Sequence, residues 1–176
     1  FVADKTATLY LDTSGEPLWL RGQKLAKVAA PLKENLAAGI LRLAGWTPGT
    51  PLLDPLCGSG TLLLEAAGMA LGDAPGLARD MKDFGFTRLT DYEPALWKRL
   101  CVEAAERRVM ADTLPIWGSD LDDDAVARSR MLAAQRVQAR EERRQAVRAR
   151  GVPVPQLVLL AVEVFLRAGL AGTIVA

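Results

Sequence analysis

The chain has 176 residues, 22 Lys plus Arg against 21 Asp plus Glu, two Cys, no His, and half its residues hydrophobic. A domain of this length buries roughly 70% of its unfolded surface, so it builds a globular core without metal or disulfide, and a net charge of +1 neither demands nor excludes a polyanionic partner. The missing imidazole excludes Ser-His and Cys-His nucleophiles and His-ligated zinc, while Cys57 and Cys101 fit no metal-ligand spacing, which leaves reduced cytoplasmic thiols and no metal as the expectation.

Phe1 to Leu11 has no basic segment followed by an apolar one, so no signal peptide is read and the chain enters mid-domain. Thr6 to Asp12 alternates as a strand, Ser14-Gly15-Glu16 supplies a turn, and Pro17 to Arg21 returns, which predicts a β-hairpin. Pro31 suits the first position of a helix with Leu32, Leu36, Ile40 and Leu43 on one face, stopped by Gly45. Thr50 to Asp54 is a short apolar strand, followed by a glycine-containing turn and a helix from Thr61 to Ala70.

An insertion of about residues 72–112 begins with a long loop, Gly72 to Thr90, and resumes helical periodicity from Pro94 to Arg108, with Leu96, Leu100 and Ala104 on one stripe. Its cations Arg79, Lys82 and Arg88 suit either a solvated loop or contact with RNA. Leu114 to Asp120 is a second strand ending on an acid, and Asp122 to Arg150 is a long polar helix. From Arg136 onwards that helix carries six Arg against two Glu, which suits a solvated face or a phosphate contact. Trp46, Trp97 and Trp117 are read as packing residues before base-stacking platforms.

Leu157 to Ala176 is long enough to span a membrane, but Glu163 and Arg167 near its middle would each cost about 2.5–3.5 kcal/mol at the bilayer centre. Two buried strands, Leu157 to Ala161 and Thr173 to Ala176, joined by a charged loop, fit better. The strand-helix order predicts an α/β domain on a parallel sheet of four strands that stops early. Its open edge invites self-association.

The informative segment is Asp54-Pro55-Leu56-Cys57-Gly58-Ser59-Gly60-Thr61, between strand and helix. Gly58 and Gly60 let the backbone approach a ligand and turn tightly into the helix, whose first N–H groups are free. The third glycine of a dinucleotide loop is replaced by Leu63, and the carboxylate of Asp54 at the strand end repels a pyrophosphate. An NAD-dependent oxidoreductase is thereby disfavoured. Asp54 suits a ligand with an ammonium or cationic centre, such as S-adenosyl-L-methionine (SAM). Asp120, ending the second strand, suits two ribose hydroxyls or a helix cap. It lies about 60 residues beyond the loop instead of the usual 20 or so, an excess the insertion accounts for.

These segments resemble the SAM-dependent RNA guanine-N2 methyltransferases that carry an N-terminal RNA-binding THUMP domain, most of all the domain acting on bacterial 23S ribosomal RNA. The likeness rests on Leu11 to Glu16 with Arg21-Gly22, Ala30 to Ala38, Asp54 to Thr61 with Glu65-Ala66-Ala67, and Gly118-Ser119-Asp120. It implies a Rossmann-like class I fold, incomplete, with residues 1–30 as hairpin and linker after a THUMP domain and 31–176 as the first part of the SAM-binding domain. It further implies that Asp54, Cys57, Gly58, Ser59, Gly60 and Thr61 cradle the methionine part of SAM and that Asp120 holds the ribose. Pro31, Leu32 and Lys33 would close over the site, and Glu163 would meet the adenine amine. The family's Asn-Pro-Pro-Tyr motif orients the target amine, and Gly172 to Ala176 resembles the strand before it. The expectation is an intact parent that methylates guanine N2 in 23S ribosomal RNA and a chain that, alone, binds SAM at most. A non-catalytic nucleotide- or RNA-binding module is the alternative.

Overall fold

The computed structural model describes residues 2–3, 5–19, 32–109, 111, 113–149 and 166–168. The chain opens with a short antiparallel pair, β1 (Val2–Ala3) and β2 (Thr6–Ala7), with Val2 opposite Ala7. This hairpin lies earlier than the one expected from Thr6 to Arg21. Residues 8–19 form no strand, and Leu20 and Arg21 lie outside the described residues. The bend at Ser14-Gly15-Glu16, with Thr13 before it, spends its backbone groups on the insertion instead of on a returning strand: Glu16 N–H donates to Asp83 O and Phe86 N–H donates to Thr13 O, each at 3.0 Å.

That junction requires glycine at position 15, where φ is 70° and a Cβ would run into the Asp83 carbonyl. Arg79 clasps it. Its Nη2 donates to Ser14 O (3.3 Å), Glu16 O (2.6 Å) and Asp83 O (3.1 Å), and its guanidinium lies 4.6 Å from the centroid of the Phe84 ring. Arg79 is thus a structural cation and not a solvated one, while Lys82 and Arg88 remain exposed.

Helix α1 spans Glu34–Leu43, so it starts three residues after Pro31, which lies outside the described residues. Its buried face is Ala37 (0% exposed) and Leu41 (2%), whereas the expected stripe of Leu32, Leu36, Ile40 and Leu43 is exposed, Leu43 to 91%. The helix offers two apolar faces, and α2 takes the one where the small Ala37 permits close approach.

Strands β3 (Leu52–Asp54) and β4 (Ile116–Asp120) pair in parallel with Asp54 beside Gly118. Between them α2 (Thr61–Ala70) crosses back, buried along most of its length under α1 and the sheet. The core gathers Leu41, Cys57, Leu63, Ala66, Ala67, Ile116 and Val126, with Trp46, Leu52 and Leu114 against it. Trp46 is therefore a packing residue, and its Nε1–H donates to Thr50 O at 3.0 Å.

The insertion is three 3₁₀ turns, Pro75–Ala78, Met81–Asp83 and Gly85–Arg88, followed by α3 (Pro94–Glu106). Phe84 is its buried anchor, and Phe84 and Phe86 pack on Trp97 with ring centroids 5.2 and 4.9 Å away. The expected α3 stripe does not enter the core. Leu96 and Leu100 instead line an open groove of about 290 Å³ with Phe86, Tyr92 and Trp97. Trp117, on β4, is 38% exposed.

Helix α4 (Asp123–Ala149) returns the chain to β5 (Leu166–Ala168), which pairs in parallel with β4, Ala168 beside Asp120. The sheet order is β3-β4-β5. Arg167, expected in a loop, is therefore a strand residue paired with Ser119. The strands expected at Leu157 to Ala161 and Thr173 to Ala176 lie outside the described residues. Among the described residues no helix is long and apolar enough to cross a membrane.

Candidate functional site

Two neighbouring parallel strands end side by side, and their C-terminal ends define the site. Because Asp54 pairs with Gly118 and strand residues two apart share a face, Asp54 and Asp120 stand on one face of the sheet, one pleat period apart. Between them runs the loop from Pro55 to Gly60. The structure thus brings together seven of the residues read from sequence: Asp54, Cys57, Gly58, Ser59, Gly60, Thr61 and Asp120. Leu32 and Lys33 stand just before α1, and Lys33 Nζ lies 5.5 Å from the Trp19 ring centroid. Pro31 and Glu163 lie outside the described residues.

The loop is pinned from several sides. Cys57 N–H donates to Ser119 O at 2.9 Å, Gly58 N–H to Asp120 Oδ2 at 2.8 Å, and Gly60 N–H back to Cys57 O at 2.8 Å. Gly58 and Gly60 have φ of 53° and 76°, the left-handed region that other residues enter only at a cost of about 1–2 kcal/mol. A Cβ on Gly58 would meet nothing within 4 Å, so the loop presents an open face there. At Gly60 the backbone turns into α2 with no side-chain cap, and the first-turn N–H groups have no intrahelical acceptor. Leu63, where a dinucleotide loop has its third glycine, is 2% exposed and fills the core.

Asp120 accepts from Gly58 N–H on Oδ2 and from Asp122 N–H on Oδ1 at 3.0 Å. These bonds, Asp122 first and Gly58 second, hold its carboxyl below the usual carboxylate value, so it is ionised at neutral pH. A carboxylate has about four acceptor positions, so these bonds leave acceptor capacity for a ligand. The helix cap that Asp120 could have supplied belongs to Asp122, whose Oδ1 accepts from Asp124 N–H at 2.9 Å.

Burial, with the Asp54 carboxylate beside it, pushes the Cys57 thiol above its usual value, although Ser129 opposes the shift. Cys57 is therefore a protonated packing residue at neutral pH. Asp54 accepts from Leu56 N–H at 3.2 Å and is half-buried.

Two supports had no local sequence signal. Ser129 of α4, 2% exposed, donates from Oγ to Gly58 O at 2.8 Å. Arg136 of α4 pairs with the buried Glu65 of α2 at 3.3 Å, its guanidinium lying on the bare surface left by Gly68. Their partners are 71 positions away in sequence, so only the folded chain reveals them. Among the described residues no cluster of Cys, Asp and Glu could hold a metal ion.

Residues 21–156 match the family described as RMKL-like, methyltransferase domain. Among solved structures, SMU.472, a predicted methyltransferase complexed with SAH, is 40% identical with a TM-score of 0.59, over 67% of this chain and 30% of that one. A predicted N6-adenine-specific DNA methylase from Listeria monocytogenes str. 4b F2365 is 35% identical with a TM-score of 0.59, over 66% of this chain and 30% of that one. A candidate methylase from Clostridium difficile 630 is 27% identical with a TM-score of 0.62, over 89% and 34%. The chain spans about a third of the length of these structures, and its parallel sheet and crossing helices are those of a methyltransferase α/β fold.

Proposed function

Because the chain belongs to the RMKL-like methyltransferase domain family, we propose that its glycine loop binds SAM. A protein of its relatives' full extent then transfers the methyl group to an exocyclic amine of a nucleic-acid base, guanine N2 of 23S ribosomal RNA in the cytoplasm. The observation that carries the reading is the placement of Asp54 and Asp120 on one face at adjacent strand ends, with the open face of Gly58 between them.

The residues fit the cofactor. Asp54 supplies the anion that an ammonium needs, while Ser59 N–H and the first N–H groups of α2 suit its carboxylate. The remaining acceptor capacity of the ionised Asp120 suits ribose hydroxyls. SAM supplies a methyl group on a cationic sulfur, and the protein's part is binding, orientation and exclusion of water. The SAH held by SMU.472, at 40% identity, supports this assignment. Pro31, Leu32, Lys33 and Glu163 enter the site on the sequence resemblance alone.

Guanine N2 rests on the same resemblance, and adenine N6 is the second reading because the Listeria protein is named for it. The test is mass analysis of nucleosides after the full-length protein acts on unmodified ribosomal RNA and on DNA with labelled SAM. N2-methylguanosine in the RNA is expected. N6-methyladenine selects the second reading, and RNA binding that is salt-sensitive but never accompanied by methylation leaves a non-catalytic module.

A further inference from the structure

We propose that Ser129 is the positioning residue of the glycine loop, its hydroxyl fixing the Gly58–Ser59 peptide so that the Ser59 N–H faces the carboxylate of the cofactor. The proposal rests on the assignment of the loop to SAM and names the residue that sets its geometry.

Ser129 lies in the second turn of α4, where a serine hydroxyl ordinarily bonds back to the carbonyl four residues earlier or points to water. Here it does neither. It is 2% exposed and donates to Gly58 O at 2.8 Å, across 71 positions of sequence. A buried hydroxyl needs such a partner, and the carbonyl it takes belongs to the loop.

The loop needs this pin because it carries two glycines in the left-handed region, Gly58 at φ 53° and Gly60 at φ 76°, and glycine leaves the backbone its greatest freedom. The bond from Gly58 N–H to Asp120 holds the peptide before Gly58, and the bond from Gly60 N–H to Cys57 O holds the peptide after Ser59. The peptide between them is held through Gly58 O, which accepts from Ser129 Oγ at 2.8 Å and, at the longer distance of 3.9 Å and from a weak donor, from Cys57 Sγ, so the serine supplies the stronger bond. That peptide is trans, so its C=O and N–H point in opposite directions. With the carbonyl drawn to α4, the Ser59 N–H points away from α4.

Ser129 also sets how closely the loop lies on α4. A Cβ on Gly60 would come within 2.9 Å of Ser129 Oγ and 3.2 Å of its Cβ, so the serine is wedged against both glycines of the loop. Removing the hydroxyl frees the Gly58–Ser59 peptide to rotate. The competent loop then becomes a fraction of the population, and apparent affinity falls with that fraction.

The test compares two ligands. SAH has the amino-acid carboxylate that Ser59 N–H would meet, whereas 5′-methylthioadenosine has the nucleoside without it. Calorimetric titration of Ser129→Ala is expected to raise the Kd for SAH roughly tenfold, the loss of one hydrogen bond to a charged group. The Kd for 5′-methylthioadenosine should stay within about twofold, since Asp120 is untouched. Ser129→Cys, of similar size and weak as a donor, repeats the measurement in case the alanine variant folds poorly. Equal weakening of both ligands makes Ser129 a merely structural residue and overturns the proposal, as does unchanged SAH affinity in both variants. Failure of the unsubstituted chain to bind either ligand overturns the cofactor assignment itself.

Discussion

Gly60→Ala is expected to lose about 2–4 kcal/mol of folding stability and to weaken SAH binding about thirtyfold or more. Two costs add. Alanine at φ 76° pays about 1–2 kcal/mol for the left-handed conformation. Its methyl group also meets Ser129 Oγ at 2.9 Å, in a place where Ser129 is buried and bonded to Gly58 O. Relief comes by turning Ser129 off its partner or by moving the start of α2, and either displaces the ligand-facing N–H groups. Gly58→Ala is the internal control, because its φ is also positive, at 53°, but its methyl group meets nothing within 4 Å. Urea unfolding should therefore rank Gly60→Ala as more damaging than Gly58→Ala by about 1 kcal/mol or more. Equal losses would mean that Ser129 does not press on the loop.

Leu63→Ala should cost about 2–5 kcal/mol, the usual range for emptying a fully buried leucine site. Leu63 is 2% exposed at the centre of the cluster formed by Leu41, Cys57, Ala66, Ala67, Ile116 and Val126. Its neighbours come from α1, α2, β4, α4 and the glycine loop. They cannot close on the cavity without moving helices away from the sheet. At roughly 2–4 °C per kcal/mol for a chain of this size, the midpoint of thermal unfolding should fall by about 4–20 °C. A loss below about 1 kcal/mol would mean that these elements do not form one core.

The glycine loop was legible because its information is local. An apolar run ending on Asp54, two glycines and a helix-forming stretch from Thr61 are contiguous, and α2 spans the predicted residues. Strand β4 and its terminal Asp120 were legible for the same reason. The buried face of α1 is not legible, because periodicity finds apolar stripes without saying which one a neighbour covers: Ala37 and Leu41 are buried, Leu36 and Ile40 are not. The place of the hairpin is not legible either, because turn residues at Ser14-Gly15-Glu16 look alike whether the chain returns on itself or docks elsewhere. In the fold they bond to Asp83 and Arg79, more than 60 positions away. Ser129 was invisible on the same ground, since a serine in a polar helix carries no mark of a carbonyl 71 positions earlier.

The central claim is that Asp54, the loop and Asp120 form a SAM site. Its most direct test is calorimetric titration of the chain with SAH, beside Asp54→Ala. The account predicts one ligand per chain, weakened at least about tenfold by the substitution, which removes the anion facing the ligand ammonium. No binding, or binding indifferent to Asp54→Ala, would contradict it.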